Sequence, residues 1–191
     1  MAYRTNEQLN KMISESEFSM NSLSISFPYS YFSQLVLLNW YDILFAVENG
    51  YLEYQSIVEH AIVEIQNNEK YPKKVLDIAC LHLGDVDSIS LVQELLVELV
   101  LPISEDMKRE SKNKLLYAVL SWTFKHKEHY EDALFVVEVI YADFGFPKSI
   151  MGFVRYMPIR QSVFNTLEEN IKRMYKNWEN FLSNQKAKYN P

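Results

Sequence analysis

An all-α fold, either a helical bundle or a short stack of helical hairpins with about seven helices, follows from three features of the sequence. Apolar residues recur at three- and four-residue intervals from residue 31 onward. Glycine and proline stand where those runs end, as at Asn49-Gly50, Gly84, Pro102 and Gly145 with Pro147. Only four glycines occur in 191 residues, in keeping with few tight turns and few β-hairpins. A chain of this length buries about 70% of its unfolded surface, so one domain, or two closely packed halves, holds a full core without disulfides or metals. The organisation read from the sequence is a single helical domain over 1–191. It comprises an extended serine-rich segment (1–30), an acidic helical body (31–154) and a long basic C-terminal helix (155–191).

Within residues 14–30, Leu23, Ile25 and Phe27 alternate with serines. That period of two marks an extended segment laying apolar side chains on the helical body, and Pro28 ends it. Leu35 to Val47 is apolar almost all round and reads as a central helix stopped at Asn49-Gly50. Ile57, Val58, Ala61, Ile62 and Ile65 form the next stripe, with Glu53, His60 and Glu64 on the opposite face. Pro72 suits a first helical turn, and Gly84 a stop after Leu83. Ser88 is placed to cap a helix whose stripe is Val92, Leu95, Leu96 and Leu99, closed by Pro102. Ser111 is placed to cap another, with Leu115, Leu116, Val119, Leu120 and Thr123 inward. Ala133, Val137, Ile140, Tyr141 and Phe144 then form a stripe ended by Gly145 and Pro147. Pro158 opens the last and longest helix, where Val163, Leu167, Ile171, Met174, Trp178 and Phe181 make a seam. Such a seam packs along the body or joins two subunits as a homo-oligomer.

Cys80 is the only cysteine, so no intramolecular disulfide forms, and its apolar surroundings predict a small buried hydrophobe. The N-terminus lacks the apolar core of a signal peptide, and Leu35–Val47 is too short to span a bilayer. A cytoplasmic protein without a membrane partner is expected.

No catalytic, cofactor-binding or metal motif emerges. His126 and His129 stand three apart before Glu131 and Asp132, but in a polar connection without the H-E-x-x-H pattern. His60 with Glu53 or Glu64 has the residue types of an acid–base pair, as has any exposed helix with i,i+4 polar pairs. His82 falls beside Val75 and Ile78 and reads as a core histidine. Asp85 and Asp87 open like a calcium loop, yet position 6 is Ser90 and position 12 is Leu96, so helix capping explains them better. Phosphate-binding glycine loops and G-x-S-x-G are absent from the sequence. The 13 tyrosines, 11 phenylalanines and 3 tryptophans lie mostly on core stripes, as Phe124, Tyr141 and Trp178 do, whereas Tyr29 and Tyr31 are expected at the surface.

Charge is unevenly distributed. Residues 1–154 hold 22 acidic and 12 basic side chains, net −10, and residues 155–191 hold 3 and 7, net +4. An overall charge of −6 argues against nucleic acid as a partner. The acidic residues Glu53, Glu64, Asp87, Glu94, Glu98, Glu131, Asp132 and Glu138 fall on outward helical faces and are the candidate partner-binding set. They suit a basic protein partner, or serve only as a solvated surface.

Two strings carry a resemblance. One is Tyr141-Ala142-Asp143-Phe144-Gly145-Phe146-Pro147 followed by Phe153-Val154-Arg155-Tyr156-Met157-Pro158, and the other is Asn39-Trp40-Tyr41-Asp42. Over about the last two-thirds of the chain they resemble a family of small bacterial helical proteins found as immunity proteins in toxin–immunity systems. The resemblance implies a non-enzymatic protein that occludes a cognate toxin, with a basic toxin domain as partner. A helical adaptor binding a host protein or peptide is the alternative, and an enzyme using the histidines above is the third reading. The first string also predicts that Arg155 pairs with Asp143 to hold its corner.

Overall fold

The computed structural model describes residues 20–84, 86–157 and 166–189. Among the described residues there are eight α-helices and no β-strand. They are α1 (Tyr29–Leu35), α2 (Trp40–Glu48), α3 (Gln55–Asn67), α4 (Lys73–Ala79), α5 (Val86–Val100), α6 (Glu105–Lys125), α7 (Ala133–Asp143) and α8 (Leu167–Tyr189). Single 3₁₀ segments follow α6 (Lys127–His129) and α7 (Lys148–Phe153). The all-α class is as expected. Residues 25–115 form one compact unit, and residues 20–24 with 116–189 form another, the division falling inside α6.

The unit of residues 25–115 begins with the extended segment. Ile25 and Phe27 are buried and Ser26 is exposed, as the two-residue period requires. Phe27 donates its backbone N–H to the Tyr51 carbonyl at 3.2 Å, and its ring lies 6.1 Å from that of Tyr51. Ser14, Ser16 and Ser19 lie outside the described residues.

Leu35 to Val47 is not one helix, because α1 ends at Leu35 and α2 starts at Trp40. Asn39 and Asp42 cause the break. The Asn39 side chain accepts from the Asp42 N–H at 2.9 Å, and the Asp42 carboxylate accepts from the Asn39 N–H at 2.8 Å. This reciprocal capping box stabilises a new helix start more than it would a continuing helix. At the other end Gly50 takes φ 72°, the left-handed conformation the Asn49-Gly50 stop predicts.

On α3 the buried arc is rotated from the expected one. Ile57, Val58 and Ala61 are buried, but so is His60, while Ile62 is exposed and Ile65 half-buried. Pro72 precedes α4 instead of lying in its first turn, and α4 stops at Ala79, well before Gly84. Only Val75 and Ile78 anchor α4 in the core, so the chain beyond them turns outward. Cys80 and His82, expected inside, are therefore exposed. Helix α5 starts at Val86, which puts Ser88 inside its first turn and not at its cap, while Asp85 lies outside the described residues. Val92, Leu96 and Val100 are its buried side.

Ser111 is no cap either. Ser104 accepts from the Met107 N–H at 3.2 Å at the start of α6, whose first turns, Glu105–Glu110, are mostly charged and carry no apolar stripe. Ser111 is instead buried, and its hydroxyl donates to Asp42. Lys114 donates to the same carboxylate at 2.7 Å and to the Leu37 carbonyl at 2.8 Å.

In the other unit Leu116, Val119, Leu120 and Thr123 of α6 are buried as expected, as are Ala133, Val137, Ile140, Tyr141 and Phe144 around α7. Asp132 caps α7, accepting from the N–H groups of Leu134 and Phe135 at 3.1 Å, and Gly145 at φ 69° ends it. The Asp143 carboxylate accepts from the Ser22 N–H at 3.0 Å and hydroxyl at 2.6 Å, so it is not the partner of Arg155. Arg155 pairs instead with Glu138 on α7 at 2.7 Å and with Asp132, the cap of that helix, at 2.6 Å. Its fork matches two carboxylates already fixed in place, one on the helix and one by its capping bonds. Residues 155–157 form a turn and not the start of a helix, while Pro158 and Val163 lie outside the described residues. Helix α8 is the longest, as expected, and Met174 and Trp178 of its seam are spent inside this unit. Phe181 and Ile171 are half-buried, and Leu167 is exposed.

Candidate functional site

Helix α5 buries Val92, Leu96 and Val100 and turns Asp87, Glu94 and Glu98 to solvent on the opposite side. Spacings of seven and four residues put these three carboxylates on one face. Leu91 and Val97 are exposed beside them, 43% and 40% respectively. Between Lys74 and Lys108 the sequence has seven acidic residues and no lysine or arginine. The face is thus both negative and partly apolar.

Beside it lies a groove of about 380 Å³ built by α2, α3 and α5. Leu44, Val47, Ile57 and Leu96 form its floor, and Glu48, Tyr54, Gln93, Glu94, Val97 and Glu98 surround it. Gln93 donates to the Tyr54 hydroxyl at 2.7 Å, which fixes part of the rim. Glu98 pairs with Lys74 at 2.5 Å on the surface. Partial burial against the apolar floor pushes the Glu48 carboxyl above the ordinary range. A second groove of about 730 Å³ lies along α8 and the 3₁₀ segment Lys148–Phe153, and no carboxylate lines it.

Of the eight candidate residues, Glu94 and Glu98 share the first groove and Asp87 lies on the same helix face. Glu53 is exposed before α3, and Glu64 is half-buried on it. Glu131 is exposed ahead of α7. Asp132 and Glu138 are not open acidic groups, since Arg155 engages both. The groove residues missed in the sequence are Glu48, Tyr54, Gln93 and Val97. Val97 carried the only usable signal, an apolar residue between two acidic ones at helical spacing.

His60 is buried, not on a polar face. It shares a 3.0 Å hydrogen bond with the Tyr29 hydroxyl, and its ring meets Trp40 edge-on at 4.6 Å. Tyr29 is likewise buried, against expectation, and Tyr31 is half-buried. Burial pushes the imidazole down to about 4 against the opposing charge of Asp42, and burial with Glu59 nearby pushes the Tyr29 phenol up to about 12. Neutral His60 therefore stabilises the fold above its unfolded pKa, and that stability is lost as pH falls from 6.5 toward 4. The full change is about 3 kcal/mol, one pKa unit being about 1.4. Urea unfolding between pH 7 and 4 should show this loss, and His60→Phe should flatten it; an unchanged slope would refute the assignment.

His126 and His129 stack with ring centres 5.7 Å apart, and His126 Nδ1 lies 2.8 Å from the Trp122 carbonyl oxygen. Among the described residues no group of three or more His, Cys, Asp and Glu side chains is arranged to hold a metal ion. No described helix is long and apolar enough to cross a membrane.

Residues 29–186 match the model of a family described as "Uncharacterized protein conserved in bacteria (DUF2247)". No curated protein and no solved structure matches the chain.

Proposed function

This chain belongs to that conserved bacterial family, and from that premise we propose that it is a non-enzymatic binding protein, an immunity protein that neutralises a cognate toxin in the cytoplasm by occlusion. The observation that carries the reading is the cation-free stretch between Lys74 and Lys108, which exposes Asp87, Glu94 and Glu98 on one helix face. Net negative charge on a rigid element speeds encounter with a basic partner and sets its orientation. A toxin cleft that holds phosphate is basic, and carboxylates in fixed register fill it without being cleaved. The Asn39-Trp40-Tyr41-Asp42 and Tyr141–Pro158 strings add the resemblance to immunity proteins.

Co-expression with the toxin proposed as its partner tests this. Restored growth and a single complex on a sizing column are expected. Growth arrest despite abundant protein, with no complex, overturns the reading.

A helical adaptor for another cellular protein is the second reading, favoured by the exposed Leu91, Val97 and Leu101 beside the acidic residues. A neighbouring gene for a secreted toxin separates the first reading from the second, for which regulators or chaperones would be the neighbours.

A further inference from the structure

We propose that the groove between α2, α3 and α5 is the anchor point for a basic amphipathic helix of a protein partner, which inserts one large apolar side chain and sets lysines or arginines on the rim. The inference rests on the binding-protein reading and names the partner chemistry of that site. The floor is apolar and the rim carries Glu48, Glu94 and Glu98. Such a composition selects an occupant that is apolar at its centre and positive at its edge.

Each feature of the rim supports that choice. Glu94 and Glu98 are four residues apart, so they match cations one turn apart on a facing helix. Among the described residues Glu48 and Glu94 have no ion pair, and the positive charge of a cation beside Glu48 would favour its carboxylate and offset the desolvation that raises its pKa. The Glu98–Lys74 pair is nearly half exposed on both sides, so exchanging Lys74 for a partner cation costs little. Nucleic acid and anionic lipid would meet like charge here. A second copy of the chain is the competing occupant, because the pairs of Lys172 with Glu168 and Lys176 with Glu179 are also exposed, and the dimer outcome below tells it apart.

The test uses the full chain and a fluorescent lysine–leucine amphipathic peptide, read by polarisation. Binding is expected. The double variant Glu94→Gln/Glu98→Gln should weaken it about tenfold, as two exposed charge contacts allow. Glu59→Gln/Glu69→Gln, with the same change in net charge away from the groove, should weaken it less than about twofold. Replacing the peptide's leucines by serine should abolish binding. Equal weakening by both double variants, or no binding, overturns the proposal. So does a concentration-dependent dimer that Glu94→Gln/Glu98→Gln dissolves, which would make a second copy the occupant. A toxin complex unaffected by Glu94→Gln/Glu98→Gln sinks the groove and leaves the immunity reading standing. Peptide binding at the groove without any toxin complex does the reverse.

Discussion

Asp42→Ala should destabilise the protein by about 4 kcal/mol, the usual scale for breaking a buried ion pair from one side. The Asp42 side chain is fully buried, and it gathers three donors from distant parts of one unit. These are the Asn39 N–H, the Ser111 hydroxyl and the Lys114 ammonium. Its removal undoes the start of α2 and strands Lys114, whose side chain is only 12% exposed. Ser111→Ala removes one neutral donor and should cost about 1 kcal/mol. Asp42→Ala/Lys114→Met should cost clearly less than Asp42→Ala with Lys114→Met added separately, because the double variant leaves no unpaired charge. Urea unfolding of the four proteins measures this. A loss below about 1 kcal/mol for Asp42→Ala would mean the network contributes little beyond capping.

Local pattern carried those parts of the fold that local physics decides. The alternation at Leu23, Ile25 and Phe27, the stripe on α7 and the glycine stops at Gly50 and Gly145 all rest on neighbours within a few residues. Structure departs from local pattern where a distant partner decides. Asn39 and Asp42 looked like polar interruptions of one apolar run, because the value of Asp42 depends on Ser111 and Lys114 about 70 residues away. His60 looked solvent-facing until Tyr29 and Trp40 closed over it. Cys80 and His82 sit in an apolar string, yet the short α4 leaves them beyond the last anchored residue, Ile78.

The candidate site follows the same division. Glu94 and Glu98 were legible because helical spacing alone puts them on an outward face. The groove floor was not, since Leu44, Ile57 and Leu96 come from three helices that only tertiary packing brings together. Arg155 shows both sides within one residue. Its sequence context marked a corner held by an acidic partner, and that corner is held, but by Glu138 and Asp132 in place of Asp143.

Trp178→Ala should cost about 4 kcal/mol, the scale for truncating a large aromatic in a packed core. Trp178 is fully buried, with Phe153 stacked at 5.9 Å and Phe124 edge-on at 5.0 Å. Its indole Nε1 is buried and has no hydrogen-bond partner among the described residues, so the ring acts through volume and not through its N–H. Trp178→Phe therefore loses some contact area but also removes a buried donor that costs free energy to leave unpaired. Its loss should stay within about 1 kcal/mol, the two effects having opposite signs. Urea unfolding distinguishes the outcomes, with near-UV circular dichroism reporting whether the aromatic cluster stays ordered. Equal losses for the phenylalanine and alanine variants would show that the indole N–H has a partner and that volume is not what holds α8 in place.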